Sequence, residues 1–229
     1  MKGFNFKEFL LDLFFPKFCF GCKTEGTYLC EDCKAILDIN NFHKICKKKW
    51  LDDLYFALDY KSFLIKNLIY NFKYNSFARD LSFPISSLII DHFKLLDKKP
   101  NFSDFILIPM PLEKTRLKWR GFNQAQKIAE QISLFLKVPL VNNVLFKKRK
   151  TPPQINLSEI QRKKNIKDAF YCYNSEKLLK RKGVLLVDDV YTTGATMEEA
   201  AKTLKKAGAK KVIGIVIARS TLFQDKLKR

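Results

Sequence analysis

The stretch Val184-Leu185-Leu186-Val187-Asp188-Asp189-Val190-Tyr191-Thr192-Thr193-Gly194-Ala195-Thr196 decides how this chain is read. Four aliphatic residues predict a buried strand, and two adjacent carboxylates follow where that strand must end. A turn of three Thr and one Gly comes next, and Met197–Lys206 has the spacing of a helix. The start of a helix offers unpaired backbone N–H groups and the positive end of a dipole, so this turn suits a phosphate. Gly194 allows positive φ or close approach to an anion, and Thr192, Thr193 and Thr196 add hydroxyl donors. Asp188 and Asp189 would repel a phosphate, so they must face something else. Carboxylates beside a phosphate cradle suit a sugar phosphate, whose ribose hydroxyls they can accept. Two other readings are weighed against this one. An ordinary strand-to-helix turn with solvated acids would need no ligand. An acidic metal site of the phosphoryl-relay type would need a third carboxylate at another strand end, and the other aliphatic strands end without one.

Working outward, Lys211–Ala218 is a further aliphatic strand, so 184–218 reads strand, helix, strand, the pattern of a right-handed parallel crossover. Asp104–Pro109 predicts another buried strand, stopped by Pro109-Met110-Pro111. Arg116 to Gln124 then leads into a helix through Leu136. Arg is scarce here, 8 residues against 35 Lys, so its positions carry information. Arg116 and Arg120 are four apart, which puts both guanidinium groups on one helix face, ready to bind phosphate at two points. Lys147 to Gln154, with Leu157, Ser158, Arg162 and Asn165, reads as a basic loop and short helix, a mobile arm able to close over an anion. Ala169–Tyr173 reads as an edge strand. Upstream, residues 47–54 read as a linker, Tyr55–Tyr60 as a strand, and Ser62–Tyr74 and Ser76–Leu96 as helices, with Pro84 at a start or an interruption.

Cys19, Cys22, Cys30 and Cys33 form two C-x-x-C pairs separated by seven residues. Each pair makes a knuckle, and two knuckles complete a four-cysteine tetrahedron with no open position, which predicts a structural zinc ion. Gly21 suits the tight backbone of the first knuckle. Redox pairs or free thiols are the alternatives, and His43 and Cys46 are candidate competitors for the metal.

The chain has 229 residues, a formal net charge of +20 and 47% hydrophobic content, enough for a large domain and a small one. We divide it into residues 1–50, an N-terminal helix with the zinc module, and residues 51–229. The Phe- and Leu-rich start is interrupted by Lys7, Glu8 and Asp12, a poor secretory signal and a better amphipathic helix. No stretch approaches a membrane span. Paired rather than framework cysteines predict a reducing, cytoplasmic setting. The basic excess suits a polyanion, although dispersed Lys also makes an ordinary solvated surface. Trp119, Phe122, Tyr171 and Tyr173 lie near basic residues, which suits stacking on single-stranded DNA.

The 184–196 stretch resembles the phosphoribosyl-pyrophosphate motif of type I phosphoribosyltransferases. Together with the four cysteines, Arg120-Gly121-Phe122-Asn123-Gln124, and Thr151-Pro152-Pro153-Gln154 followed by Arg162 and Asn165, it resembles the ComF family of competence-associated proteins over nearly the whole chain. Lys147 and Arg149 match the family's basic positions, whereas Cys46 stands alone where many members carry further Cys. The resemblance implies an α/β fold, a type I phosphoribosyltransferase-like parallel sheet behind an N-terminal four-cysteine, zinc-ribbon-like module. It implies Asp188 and Asp189 as catalytic residues and Val190 to Thr196 (Val190, Tyr191, Thr192, Thr193, Gly194, Ala195, Thr196) as the binding turn for phosphoribosyl pyrophosphate with Mg2+. It also implies a cytoplasmic role in natural transformation, on incoming single-stranded DNA, beside a DNA-uptake helicase or recombination protein. Three functions stay open: a phosphoribosyltransferase acting in transformation, a catalytically inactive DNA-binding adaptor, and a metabolic transferase with an unknown acceptor.

Overall fold

The computed structural model describes residue 14 and residues 16–43, 45–75, 78–148 and 166–220. The predicted N-terminal helix falls almost wholly outside them, as do Arg149, Thr151–Gln154, Leu157, Ser158, Arg162 and Asn165.

The first elements in chain order are α1 (Glu31–Ala35), β1 (Asp53–Asp59) and α2 (Phe63–Tyr74). A 3-10 turn, Ala78–Leu81, leads into α3 (Ser82–Leu95), then β2 (Phe105–Pro109), α4 (Lys114–Arg120) and α5 (Gln124–Leu136). Next come β3 (Leu145–Lys147), β4 (Phe170–Cys172), α6 (Glu176–Leu179), β5 (Gly183–Val187), β6 (Val190–Tyr191), α7 (Ala195–Lys206) and β7 (Lys211–Arg219). The strands of the main sheet run parallel in the order β1-β7-β5-β2, and β6 pairs with the end of β7.

The aliphatic run 184–187 is buried along its whole length because it is an inner strand covered on both faces. Its side chains alternate between two cores. Leu185 and Val187 join Ile85, Leu88 and Ile89 of α3 and Ile128 and Ile132 of α5. Val184 and Leu186 join Met197, Ala200, Ala201 and Leu204 of α7. This gives three layers, helix–sheet–helix, as the strand–helix–strand order predicts.

Register sets the floor of the site. Pro109 stands opposite Val187, so β2 and β5 end level. Pro109 has no N–H to extend the ladder, and Met110 N donates to Val187 O at 2.8 Å. Asp188 N donates to Ile215 O at 3.0 Å, so the acids leave the sheet where its neighbours still hold them.

Several boundaries differ from expectation. The helix after the turn starts at Ala195, two residues early, with Gly194 as its N-cap. The segment 116–136 is two helices, broken at Gly121 with φ +76°. Pro84 lies in the first turn of α3, where its missing N–H is harmless. The 170–172 strand is no edge of the main sheet. It pairs antiparallel with β3 in a separate two-stranded sheet whose Leu145 and Phe170 pack in the α7-side core.

Candidate phosphate pocket and cysteine site

The carboxyl ends of the strands open onto a pocket of about 530 Å³. Asp188, Asp189, Val190, Thr192 and Thr196 line one side, and Arg116, Arg120, Asn123, Tyr60, Lys73, Tyr74 and Lys147 line much of the rest. Asp189 is buried, and its Oδ2 pairs with Lys73 Nζ at 2.7 Å. Burial works against the Lys73 charge, but Asp189 prevails and raises its pKa above the ordinary lysine value. Asp188 accepts from its neighbour's backbone, Asp189 N to Oδ1 at 2.9 Å. Burial, then the Asp189 charge, pushes the Asp188 carboxyl up to about 7. One carboxylate is therefore locked to a cation, and the other is ready to gain or lose a proton.

The opposite wall is built by Arg120-Gly-Phe-Asn-Gln124. Gly121 takes the left-handed conformation that closes α4 and turns the chain into α5. Phe122 is buried, its ring 5.5 Å from that of Phe72. Asn123 caps α5, its Oδ1 accepting from Ala125 N at 3.1 Å, while its Nδ2 donates to Met110 O at 3.0 Å. Buried Gln124 donates from Nε2 to Phe72 O at 3.2 Å and accepts from Arg120 Nη1 at 3.0 Å. The Arg120 guanidinium also lies 5.1 Å from the centre of the Tyr74 ring. Its Nε is buried with no hydrogen-bond partner, and burial lowers its pKa. An orphaned donor on a cation beside an open pocket is a fit for an anionic ligand. Lys147 is likewise lowered, by burial first and the nearby Arg116 second.

The turn divides its residues between pocket and fold. Val190, Thr192 and Thr196 line the pocket, whereas Tyr191, Thr193, Gly194 and Ala195 are not among its lining residues. Thr193 Oγ1 accepts from Ala195 N at 3.4 Å, a local helix-start contact. Tyr191 is buried under the turn. Gly194 has φ +79°, and a Cβ there would fall onto the Tyr191 hydroxyl, so only Gly fits. Sequence reasoning missed Lys73, Tyr60 and Tyr74. Lys73 and Tyr74 end a helix legible from its period, but no local signal says that its end reaches Asp189.

The four cysteines come together apart from the pocket, with Gly21 close to Leu64 of α2. Their sulfurs all lie within 4.8 Å of one another. Cys19 and Cys30 are 3.7 Å apart and Cys22 and Cys30 3.5 Å. Zinc–sulfur bonds of ~2.3 Å would set tetrahedral sulfurs about 3.8 Å apart, so the set fits a zinc ion. Burial works to raise the Cys19 thiol, but hydrogen bonds from the backbone amides of Cys30, Cys22 and Gly21 bring it down to about 6. Its hydrogen bond with Cys30, then burial, pushes Cys33 up to about 12. A cation among the four sulfurs would let all of them ionise. A Cβ on Gly21 would stand 2.5 Å from Cys33 Sγ, which explains the glycine. Neither His43 nor Cys46 joins the cluster. His43 Nε2 meets Asp53 Oδ2 at 2.9 Å, and the Cys46 amide donates to Asp53 Oδ1 at 3.0 Å. Among the described residues no helix is long and apolar enough to cross a membrane.

The phosphoribosyl transferase domain family matches residues 118–226. Competence protein F of Haemophilus influenzae is 39% identical over 106 residues, 46% of each chain. Competence protein ComFC of Bacillus subtilis is 31% identical over 150 residues, 64% of this chain and 53% of the relative. The chain thus spans about half the length of these curated relatives. A purine phosphoribosyltransferase of Pyrococcus horikoshii is 18% identical over 61% of this chain and 81% of that one, at a TM-score of 0.33, too low to bear on function. The matched span carries Arg120, the acid pair and the turn to Thr196, and these similarities support a ComF family protein with a phosphoribosyltransferase-type domain.

Proposed function

We propose that this protein binds phosphoribosyl pyrophosphate together with Mg2+ in the pocket at the carboxyl end of the sheet, and that it serves natural transformation by handling incoming single-stranded DNA. One observation carries the first half: two carboxylates and, besides the Lys73 paired with Asp189, three further cations, Arg116, Arg120 and Lys147, line one pocket. A neutral ligand would make no use of those cations, and a simple anion would be repelled by the acids. A sugar pyrophosphate answers both, with hydroxyls for Asp188 and Asp189 and phosphates for the basic wall and the Thr192–Thr196 turn. Mg2+ would be held by the acid pair and the ligand's phosphates, and it would offset charge on departing pyrophosphate. The chain's own share of a transfer at the ribose C1 is then positioning and charge neutralisation.

The transformation half rests on the relatives, which are named as competence proteins, and on the +20 charge. In this reading residues 1–50 hold a structural zinc and residues 51–229 form the transferase-like unit, working in the cytoplasm beside a DNA-uptake helicase or recombination protein. The adaptor reading, ligand binding without turnover, is favoured by the extent of the basic surface. Pyrophosphate release, measured with and without nucleobase or DNA acceptors, separates the two.

The direct test is calorimetry with phosphoribosyl pyrophosphate and Mg2+. Replacing Asp188 and Asp189 together by Asn keeps their shape and removes both charges. Binding should drop at least about a hundredfold, the equivalent of ~2.7 kcal/mol. Undiminished affinity in a folded double variant would sink the assignment.

A further inference from the structure

Three aromatic rings meet on the surface beside the pocket, and of the three only Tyr74 lines it. Tyr74 lines the pocket at the end of α2 and is 42% exposed. Tyr70, one helical turn back, is 61% exposed, with its ring centre 4.8 Å from that of Tyr74. Trp119 of α4 is 62% exposed, with its ring centre 6.0 Å from that of Tyr74. An aromatic pair four residues apart is explained by helix stability alone. A tryptophan brought from a second helix and left in solvent is not. Single exposed rings are ordinary on this surface, but three in contact from two helices make a contiguous patch of the kind that marks a binding surface.

The helices that carry the rings are basic, and the acids beside them, Asp189 and Glu113, are met by Lys73 and Arg116. Helices α2 and α4 contain Lys66, Lys73, Lys114, Arg116, Lys118 and Arg120 and no acidic residue. Arg120 joins the two features, since its guanidinium lies over Tyr74 while it lines the pocket. Flat apolar rings set among cations complement a polyanion that carries its own flat rings. A single nucleobase would need one ring. Three rings at 4.8 and 6.0 Å, tilted by 42° and 59° to one another, present separate outward faces to successive bases of one strand.

We propose that Tyr70, Tyr74 and Trp119 form a stacking ladder for the bases of single-stranded DNA, running outward from the mouth of the phosphate pocket. The placing of a strand end at the pocket rests on the sugar-phosphate reading given above; the ladder itself does not. Lys66 of α2 and Lys114 and Lys118 of α4 hold the backbone, and the rings hold bases without choosing among them, because every base has a π face.

The test uses the full-length, zinc-loaded protein and fluorescence anisotropy with two probes of about twelve nucleotides, oligo-dT and an abasic strand of equal length. Tyr70→Ala and Trp119→Ala are the variants. Both residues are exposed and neither lines the pocket, so folding and phosphoribosyl-pyrophosphate affinity stay as in the wild type. Each should bind oligo-dT about tenfold more weakly, the equivalent of ~1.4 kcal/mol, with affinity for the abasic strand unchanged. Trp119→Phe should restore most of the loss. Phe42→Ala, 62% exposed ahead of β1, should bind as the wild type does. Wild-type affinity for oligo-dT in both ladder variants overturns the proposal, and so does an equal loss for the abasic strand. If the wild type fails to bind phosphoribosyl pyrophosphate while the ladder variants still lose oligo-dT, the pocket reading falls and the ladder stands. If the ligand binds and the ladder variants keep oligo-dT, the reverse holds.

Discussion

Asp188 is the residue at which burial and chemistry pull hardest against each other. Its carboxyl is pushed up to about 7, first by burial and then by Asp189. An unfolded Asp titrates near ~3.9. Between these values the folded chain holds a proton that the unfolded chain has released. The contribution of this group to stability is therefore full below about pH 4 and is lost as pH rises toward 7. Asp188→Asn removes the titration but keeps the shape. Relative to wild type, the ligand-free variant should gain stability as pH rises from 4.5 to 8, by roughly 1–4 kcal/mol at the upper end. Denaturant titration across that range checks it, and a difference that does not vary with pH would show that Asp188 is not raised. The two acids were legible because they follow a buried aliphatic run directly. Lys73 was not, because its pairing with Asp189 spans 116 residues and is made by packing alone. Nor was the division of labour within the turn, where Tyr191 and Gly194 serve the fold under a loop that reads as uniformly ligand-facing.

Elements carry the next level. The cysteine knuckles are not a separate bead, since Cys19, Leu29 and Cys33 share a buried cluster with Ile65, Leu68 and Ile69 of α2 and with α3. Losing the metal should therefore loosen the layer that covers one face of the sheet. Cys30→Ser should drop zinc from one per chain to none and lower the melting temperature by about 10 °C or more, given ~2–4 °C per kcal/mol at this size. Elemental analysis with calorimetry decides it; metal-free wild type from a chelator-free preparation would reject the zinc assignment. The spacing of the cysteines was enough to find this site, because knuckle geometry is local. The Arg120–Gln124 segment was less readable. Its sequence offered a basic helix start, but the structure shows a brace in which Gln124 ties Arg120 to the backbone of α2. Gln124→Ala leaves Phe72 O without its partner, costing about 1–3 kcal/mol, and frees Arg120. Phosphoribosyl-pyrophosphate affinity should fall several-fold in a protein that still folds. Unchanged affinity would mean that the brace does not position the guanidinium.

At the scale of the molecule, the parallel sheet gives the charge a direction. All four long strands of the main sheet point their carboxyl ends the same way, toward the pocket, within a chain of net charge +20. The fold class was readable because parallel strands buried on both faces appear as unbroken aliphatic runs. The path of a polyanion was not, since 35 Lys spread along a sequence do not say which share a surface. The structure supplies a matched comparison. Lys147 lines the pocket, and Lys148, Arg149 and Lys150 follow it in sequence. Lys177, Lys206, Lys210 and Lys211 are exposed and lie near the amino ends of β5 and β7, across the sheet. Replacing either set of four by Gln removes the same net charge. If binding of single-stranded DNA follows charge alone, both variants lose the same affinity and the same part of the salt slope. If DNA runs beside the pocket, the 147–150 variant should lose about tenfold or more at roughly 150 mM salt, and the other little. Anisotropy at several salt concentrations reads both. Equal losses would reduce DNA binding to generic attraction, and no loss in either would remove DNA from the account of this protein. A selective loss would set the strand along the same mouth that Arg116, Arg120 and Tyr74 already frame.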